Sequence, residues 1–138
     1  MIRRQGWEAR LDRAIAAGRR APFQYGGDTP HDCLSFPASC IAAVTGVDLY
    51  EPFRGRYADE AGAHALVPNI EAFLEETAAR LSWPAQDART ARKGDLAAVR
   101  LGETFLCAVV YGGLVIPEAP TGLRRFGLLM AEKIWRIG

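Results

Sequence analysis

The sequence predicts an α+β domain with helices packed on an antiparallel sheet. Three observations carry that expectation. From residue 2 to about residue 81 the apolar residues recur at helical spacing, and after residue 93 the pattern changes to short strand-like runs. The strands of the second half are separated by tight turns such as Gly102-Glu103 and Gly112-Gly113, the connection of a meander. The 138 residues, 49% apolar and 24% charged, make one ordinary domain over 1–138 with one core.

Each element follows from local chemistry. Residues 2–17 read as an amphipathic helix, with Ile2, Trp7, Leu11, Ala14 and Ile15 on one side and arginines on the other; Gly18 and Pro22 end it. Ala21 to Cys33 contains Pro22, Gly26, Gly27, Asp28, Pro30 and Asp32, the composition of a turn-rich loop. A second helix starts at Cys33 or Ser35 and runs to Thr45, with Gly46 as its cap and Phe36, Cys40, Ile41 and Val44 as its buried stripe. Pro37 favours the later start, because proline fits a first turn but removes an N–H deeper in a helix.

Residues 47–66 read as loop with one short helix near Ala58–Ala65. Asn69 then caps a helix carrying Ile70, Phe73, Leu74, Thr77, Ala78 and Leu81, with Glu71, Glu75 and Glu76 toward its start and Pro84 after its end. Strands are expected at Asp95–Leu101, Phe105–Tyr111, Leu114–Ile116 and Leu123–Phe126. A short helical stretch, Leu128–Lys133, and a last strand, Ile134–Ile137, complete the chain.

Composition excludes several function classes. The apolar runs are too short for a transmembrane helix, and no charged segment precedes an apolar stretch as in a signal peptide. A net charge of +1 does not suit a protein that coats nucleic acid, and no sequence-specific nucleic-acid motif is present. Residues 1–20 nevertheless hold six Arg (Arg3, Arg4, Arg10, Arg13, Arg19, Arg20) against Glu8 and Asp12, which makes the first helix a docking surface or a solvated face.

Cys33, Cys40 and Cys107 are odd in number and lack a C-x-x-C pair, so neither a disulfide framework nor a thiolate zinc site is expected. Cys33 and Cys40 have the spacing of one helical face. Asp28, His31, Asp32 and Cys33 cluster without the spacing of a zinc site, so no metal and no cofactor is expected. Trp7, Trp83 and Trp135 are scattered and read as core or interface packing.

The segment Tyr25-Gly26-Gly27-Asp28-Thr29-Pro30-His31-Asp32-Cys33-Leu34-Ser35-Phe36 stands out chemically. A turn-rich loop delivers Cys33 to a helix start, where unpaired N–H groups and the helix dipole favour a thiolate and can donate to an oxyanion. Gly26 and Gly27 let the loop backbone pass close to a bound group. Tyr25, Gly26, Gly27, His31, Asp32 and Ser35 are the residues expected to shape a site around Cys33.

This segment resembles the nucleophile motif of the NlpC-type cysteine peptidases. There a Tyr and a Gly-Gly loop precede Asp-Cys-Ser-Gly-Phe, on a reduced papain-like fold that cleaves peptidoglycan stem peptides. Lys93-Gly94-Asp95-Leu96 is similar to the Pro-Gly-Asp-Leu that opens that family's first sheet strand. Cys107-Ala108-Val109-Val110-Tyr111-Gly112-Gly113 is similar to its next strand, His-Val-Gly-Ile-Tyr-x-Gly. More narrowly, Asp32-Cys33, Thr45-Gly46-Val47-Asp48, Arg54-Gly55-Arg56-Tyr57 and Trp135-Arg136-Ile137-Gly138 resemble small proteins encoded among the tail genes of siphophages and gene transfer agents.

The departures from the peptidase pattern are chemical. The family's general base falls at Cys107 or Leu106, and no histidine follows His64. Only His31, two residues before Cys33, and His64 could supply an imidazole. Ser-Gly-Phe reads here as Leu34-Ser35-Phe36, with the serine shifted by one. The resemblance thus implies a structural component of a phage-like tail tip or baseplate, made in the bacterial cytoplasm, carried in the virion and contacting other tail proteins. The alternatives are an active peptidoglycan hydrolase with Cys33 as nucleophile, and a binding domain whose motif is accidental.

Overall fold

The computed structural model describes residues 1–138. It is an α+β arrangement, with four helices and a six-stranded antiparallel sheet. The helices are α1 (Trp7–Arg20), α2 (Ser35–Thr45), α3 (Glu60–Leu66) and α4 (Ile70–Arg80). The strands are β1 (Ala85–Gln86), β2 (Leu96–Leu101), β3 (Thr104–Val110), β4 (Leu114–Pro117), β5 (Leu123–Phe126) and β6 (Ala131–Trp135), in the order β1-β6-β2-β3-β4-β5. Every neighbouring pair is antiparallel. No helix is long and apolar enough to cross a membrane.

The first helix is shorter at its start than its periodicity suggests. Gly6, in a left-handed conformation, stands at its N-terminus, and the residues before it leave the helix axis. Arg4 N–H donates to the Val44 carbonyl at the end of α2, at 2.8 Å. Arg3 turns inward: its guanidinium bonds the Ile137 and Lys93 carbonyls and pairs with Asp95 at 2.9 Å. Six arginines therefore do not share one basic face, because Arg3 is spent inside the fold.

At the other end, Gly18 lies within α1 and does not stop it. A Cβ there would stand 2.8 Å from Phe36 Cε1, so glycine lets α1 and α2 approach each other closely. Helix α2 is buried on most sides and contributes Phe36, Cys40, Ile41 and Val44 to the main core. That core also takes Leu11 and Ile15 from α1, Leu74 and Ala78 from α4, and Leu96, Cys107 and Val109 from one sheet face. Burial of each large aliphatic side chain there contributes about 1.5–3 kcal/mol.

The other sheet face is buried as well. Ala97, Val99, Ala108, Val110, Leu114, Ile116 and Ile134 form a second cluster, joined by Phe126 and Leu128. No residue of α1 to α4 belongs to it; strand residues and the segment around Leu128 cover this face. The β2–β6 register shifts between Ala98 and Val99, a bulge of the kind that adds local bend. This explains why β2 reads as a continuous apolar run and not as an alternation.

The end of the chain differs from its periodicity. The strand expected at Ile134–Ile137 is β6, which starts at Ala131, and only Leu128–Met130 is helical, as a 3-10 turn. The two-residue strand β1 pairs with Trp135 and Ile134 and carries no sequence signal of its own.

Candidate functional site

The site is built around a buried carboxylate. Asp32 is fully buried, just before α2. Its Oδ1 accepts the N–H groups of Leu34 (2.9 Å) and Ser35 (2.8 Å). Its Oδ2 accepts the Gly26 N–H at 3.0 Å and the Tyr57 hydroxyl at 2.6 Å. Ser35 returns the contact, its Oγ accepting the Asp32 N–H at 2.9 Å. Four donors fill the sites that a carboxylate offers, so a buried charge is tolerated here.

These bonds account for the start of α2. Leu34 and Ser35 N–H go to the Asp32 side chain, Phe36 N–H goes to the Asp32 carbonyl, and Ala38 N–H goes to the Leu34 carbonyl. Pro37 has no N–H to offer. Of the helix-start donors expected to serve a thiolate or an oxyanion, those of Leu34, Ser35 and Phe36 are consumed by Asp32, and the Cys33 N–H, which favours the thiolate, is outweighed by burial. The helix begins at Ser35, as Pro37 indicates, and Cys33 lies in the preceding turn. Cys33 and Cys40 therefore do not stack along one helix.

The loop glycines serve the fold. Gly26 has φ +62°, and a Cβ there would lie 2.1 Å from the Tyr57 carbonyl oxygen. Its close approach is to the protein's own chain, which corrects the expectation of a ligand-facing glycine. Gly27, also left-handed, has only the Gln24 side chain near it. Tyr25 packs edge-on against Phe23, with ring centroids 4.9 Å apart, and flanks a small cluster made of Ala38, Tyr50, Tyr57 and Ala63.

Cys33 is half-buried and opens on a cavity of about 480 Å³ between α2, α4 and the sheet. Apolar side chains, among them Leu34, Ile41, Phe53, Phe73 and Leu74, form most of its wall, and Cys107 lies in it too. Burial, and after it the negative charge of Asp32, push the Cys33 thiol up to about 11. Burial likewise raises Cys40 and Cys107. A thiol raised in this way is protonated at neutral pH, the reverse of an activated nucleophile.

Neither imidazole joins this cavity. His31 is 4% exposed, with Nε2–H donating to the Gly122 carbonyl at 2.8 Å and its ring edge-on to Phe36. It fastens the loop to the turn before β5 and faces a separate groove between α1 and α2. His64 is exposed on α3, 3.6 Å from Glu60 one turn earlier. Of the two positions aligned with the family's base, Cys107 faces the cavity of Cys33, whereas Leu106 packs on the opposite sheet face.

Tyr57 is the residue that sequence reasoning passed over. Its hydroxyl donates to Asp32 and accepts from Tyr50 at 2.9 Å, forming a buried relay of two phenols and one carboxylate. Burial first, and the bond to Asp32 next, hold the Tyr57 phenol far above its ordinary range. Arg54-Gly55-Arg56-Tyr57 marked the region, but nothing local ties position 57 to position 32.

Comparison with curated proteins and with solved structures found no match. The profile of DUF6950, a domain of unknown function, matches residues 2–137. The chain belongs to the DUF6950 family.

Proposed function

We propose that this chain is a structural component of a phage-like tail tip or baseplate, built on an NlpC-type, papain-like domain that has lost its catalytic dyad. One observation carries the loss of catalysis. Cys33 shares its cavity with Cys107, at the position where the family resemblance puts a histidine, and with neither imidazole of the chain. A second thiol held protonated by burial cannot accept the proton of the first. The Leu34 and Ser35 N–H groups at the start of α2 are taken by Asp32, which leaves the Cys33 N–H alone of this turn to face an oxyanion.

The tail assignment rests on the resemblance of the four short motifs quoted above. The surface suits contact with neighbouring chains: Leu129 is 89% exposed and Ile2 80%, and Arg13, Arg19 and Arg20 stand exposed on α1. Two measurements test the reading. Peptidoglycan digestion by wild type and by Cys33→Ala is expected to be equal and negligible, and a Cys33-dependent release of stem peptides establishes the hydrolase instead. Mass spectrometry of purified particles is expected to find the chain; its absence from them removes the tail role.

A further inference from the structure

The sheet has two edges, and they differ in what they offer. β1 at one edge is two residues long, whereas β5 at the other runs four residues along β4. The chain begins to cover the β5 edge and then stops. Pro22 meets Thr121 in a single bridge, closed by Phe23 N–H to the Pro120 carbonyl and Gly122 N–H to the Ala21 carbonyl. The Gly122 carbonyl accepts the Glu118 N–H across the hairpin, so the Leu123 N–H, opposite it in the same peptide plane, points away from β4. Alternation along an antiparallel strand turns the N–H and C=O of Arg125 the same way. No backbone bond outside the β4 ladder uses either residue. Unpaired groups at strand spacing are a template for another extended segment.

Charge decides which segment fits. Beside the edge lies a groove of about 300 Å³ whose charged side chains are Arg19, Arg124 and Arg125. All three are exposed, and none makes an ion pair within the chain. Glu118, the one acid of the β4–β5 hairpin, does not line the groove. Arg124 stands over the Phe126 ring at 4.7 Å, on the opposite face of β5 from Arg125. Positive charge therefore flanks the edge on both faces, and Arg19 extends it onto α1. Arginines blunt an edge against apolar strands and against a second copy, whose own arginines would face them. They leave it open to a strand of opposite charge. A nucleic-acid strand matches the charge but has no N–H and C=O groups at peptide spacing to pair with Leu123 and Arg125.

We propose that the free edge of β5 receives an extended acidic segment of a partner protein as an added strand, its carboxylates meeting Arg19, Arg124 and Arg125. Main-chain bonds at Leu123 and Arg125 supply the register, and the arginines select the sequence. The surface shares no residue with the cavity of Cys33, and the inference does not rest on the tail reading. Its failure leaves the peptidoglycan and particle measurements untouched, and the reverse also holds.

The probe is a peptide capped at both ends, Thr-Glu-Val-Glu-Glu-Val-Thr, titrated into nitrogen-15-labelled protein while assigned backbone amide signals are followed by NMR. Saturable shifts are expected, larger at Leu123 and Arg125 than at Arg124 and Phe126, whose N–H groups turn toward β4. Arg19→Gln, Arg124→Gln and Arg125→Gln combined should weaken binding about three- to thirtyfold, the effect of losing three exposed charge pairs. The same peptide methylated on every backbone nitrogen should not bind, nor should its counterpart with Lys for each Glu. Hexathymidylate, a phosphate chain of higher charge, should bind less well than the peptide. The proposal is overturned by no saturable binding, by equal binding of the methylated or Lys peptide, by unchanged affinity in the triple variant, or by tighter binding of hexathymidylate. Concentration-dependent shifts of Leu123 and Arg125 in the protein alone also overturn it, and make the occupant a second copy.

Discussion

Tyr57 donates its hydroxyl to Asp32 at 2.6 Å, tying the connection after α2 to the turn before it. Replacement by Phe keeps the ring and removes one of four donors from a buried carboxylate. A hydrogen bond to a charged group is worth about 1.5–3 kcal/mol, and Tyr57→Phe should lower stability by that amount. Urea unfolding should show a lower midpoint with an unchanged slope. An unaltered midpoint means that water takes the place of the phenol.

Gly26 and Gly55 separate two costs that both begin with a positive φ. Gly55 has φ +76° with open space around it, so Gly55→Ala should cost about 1–2 kcal/mol, the left-handed penalty alone. Gly26→Ala adds a clash with the Tyr57 backbone, and overpacking of that kind adds about 1–3 kcal/mol more. Thermal unfolding of both variants checks the order, and equal losses contradict it.

Asp95 is fully buried and holds Arg3 at 2.9 Å and Arg136 at 3.1 Å. It also accepts the N–H groups of Arg92 and Ile137. Asp95→Ala strands the buried Arg3 guanidinium and should cost about 3–5 kcal/mol. Arg136→Ala should cost less, because that side chain is 23% exposed and Asp95 keeps its other partners. Denaturant unfolding of the pair decides the ranking.

The thiols make stability fall in alkali. The Cys33 thiol titrates at about 11 in the folded protein, against an ordinary 9.0. Between those values the unfolded chain has released a proton that the folded chain keeps, so stability declines as pH rises from about 9 to 11 and is unaffected by this group below. Cys40 and Cys107, raised by burial, act in the same direction. Iodoacetamide labelling of Cys33 should be slow at pH 7 and accelerate about tenfold per pH unit toward pH 11. Fast labelling at pH 6–7 contradicts this and indicates an activated thiolate.

The elements with strong local signals were legible in the sequence. Asn69 caps α4 through its side chain, accepting the Ala72 N–H at 3.0 Å, and Pro37 sets the start of α2 at Ser35. Gly18 misled because glycine both ends helices and thins their contacts, and only the position of Phe36 tells which applies. Arg3 misled because its partners lie at positions 93, 95 and 137, beyond any local pattern. In the site, the placement of Cys33 before a helix was readable. The consumption of its helix-start donors was not, since it depends on where the Asp32 side chain points.

The Asp95 carboxylate is completed by groups far apart in the sequence: the Arg3 guanidinium, Arg136 and the Ile137 N–H all converge on it. During synthesis residues 136 and 137 are made after every other partner of Asp95. Until they emerge, a charge destined for the interior lacks two of its partners, and β6 has not entered the sheet between β1 and β2. The growing polypeptide therefore cannot reach its final form piecemeal. Asp95 gains its full set of partners only once β6 and the two residues after it have been made.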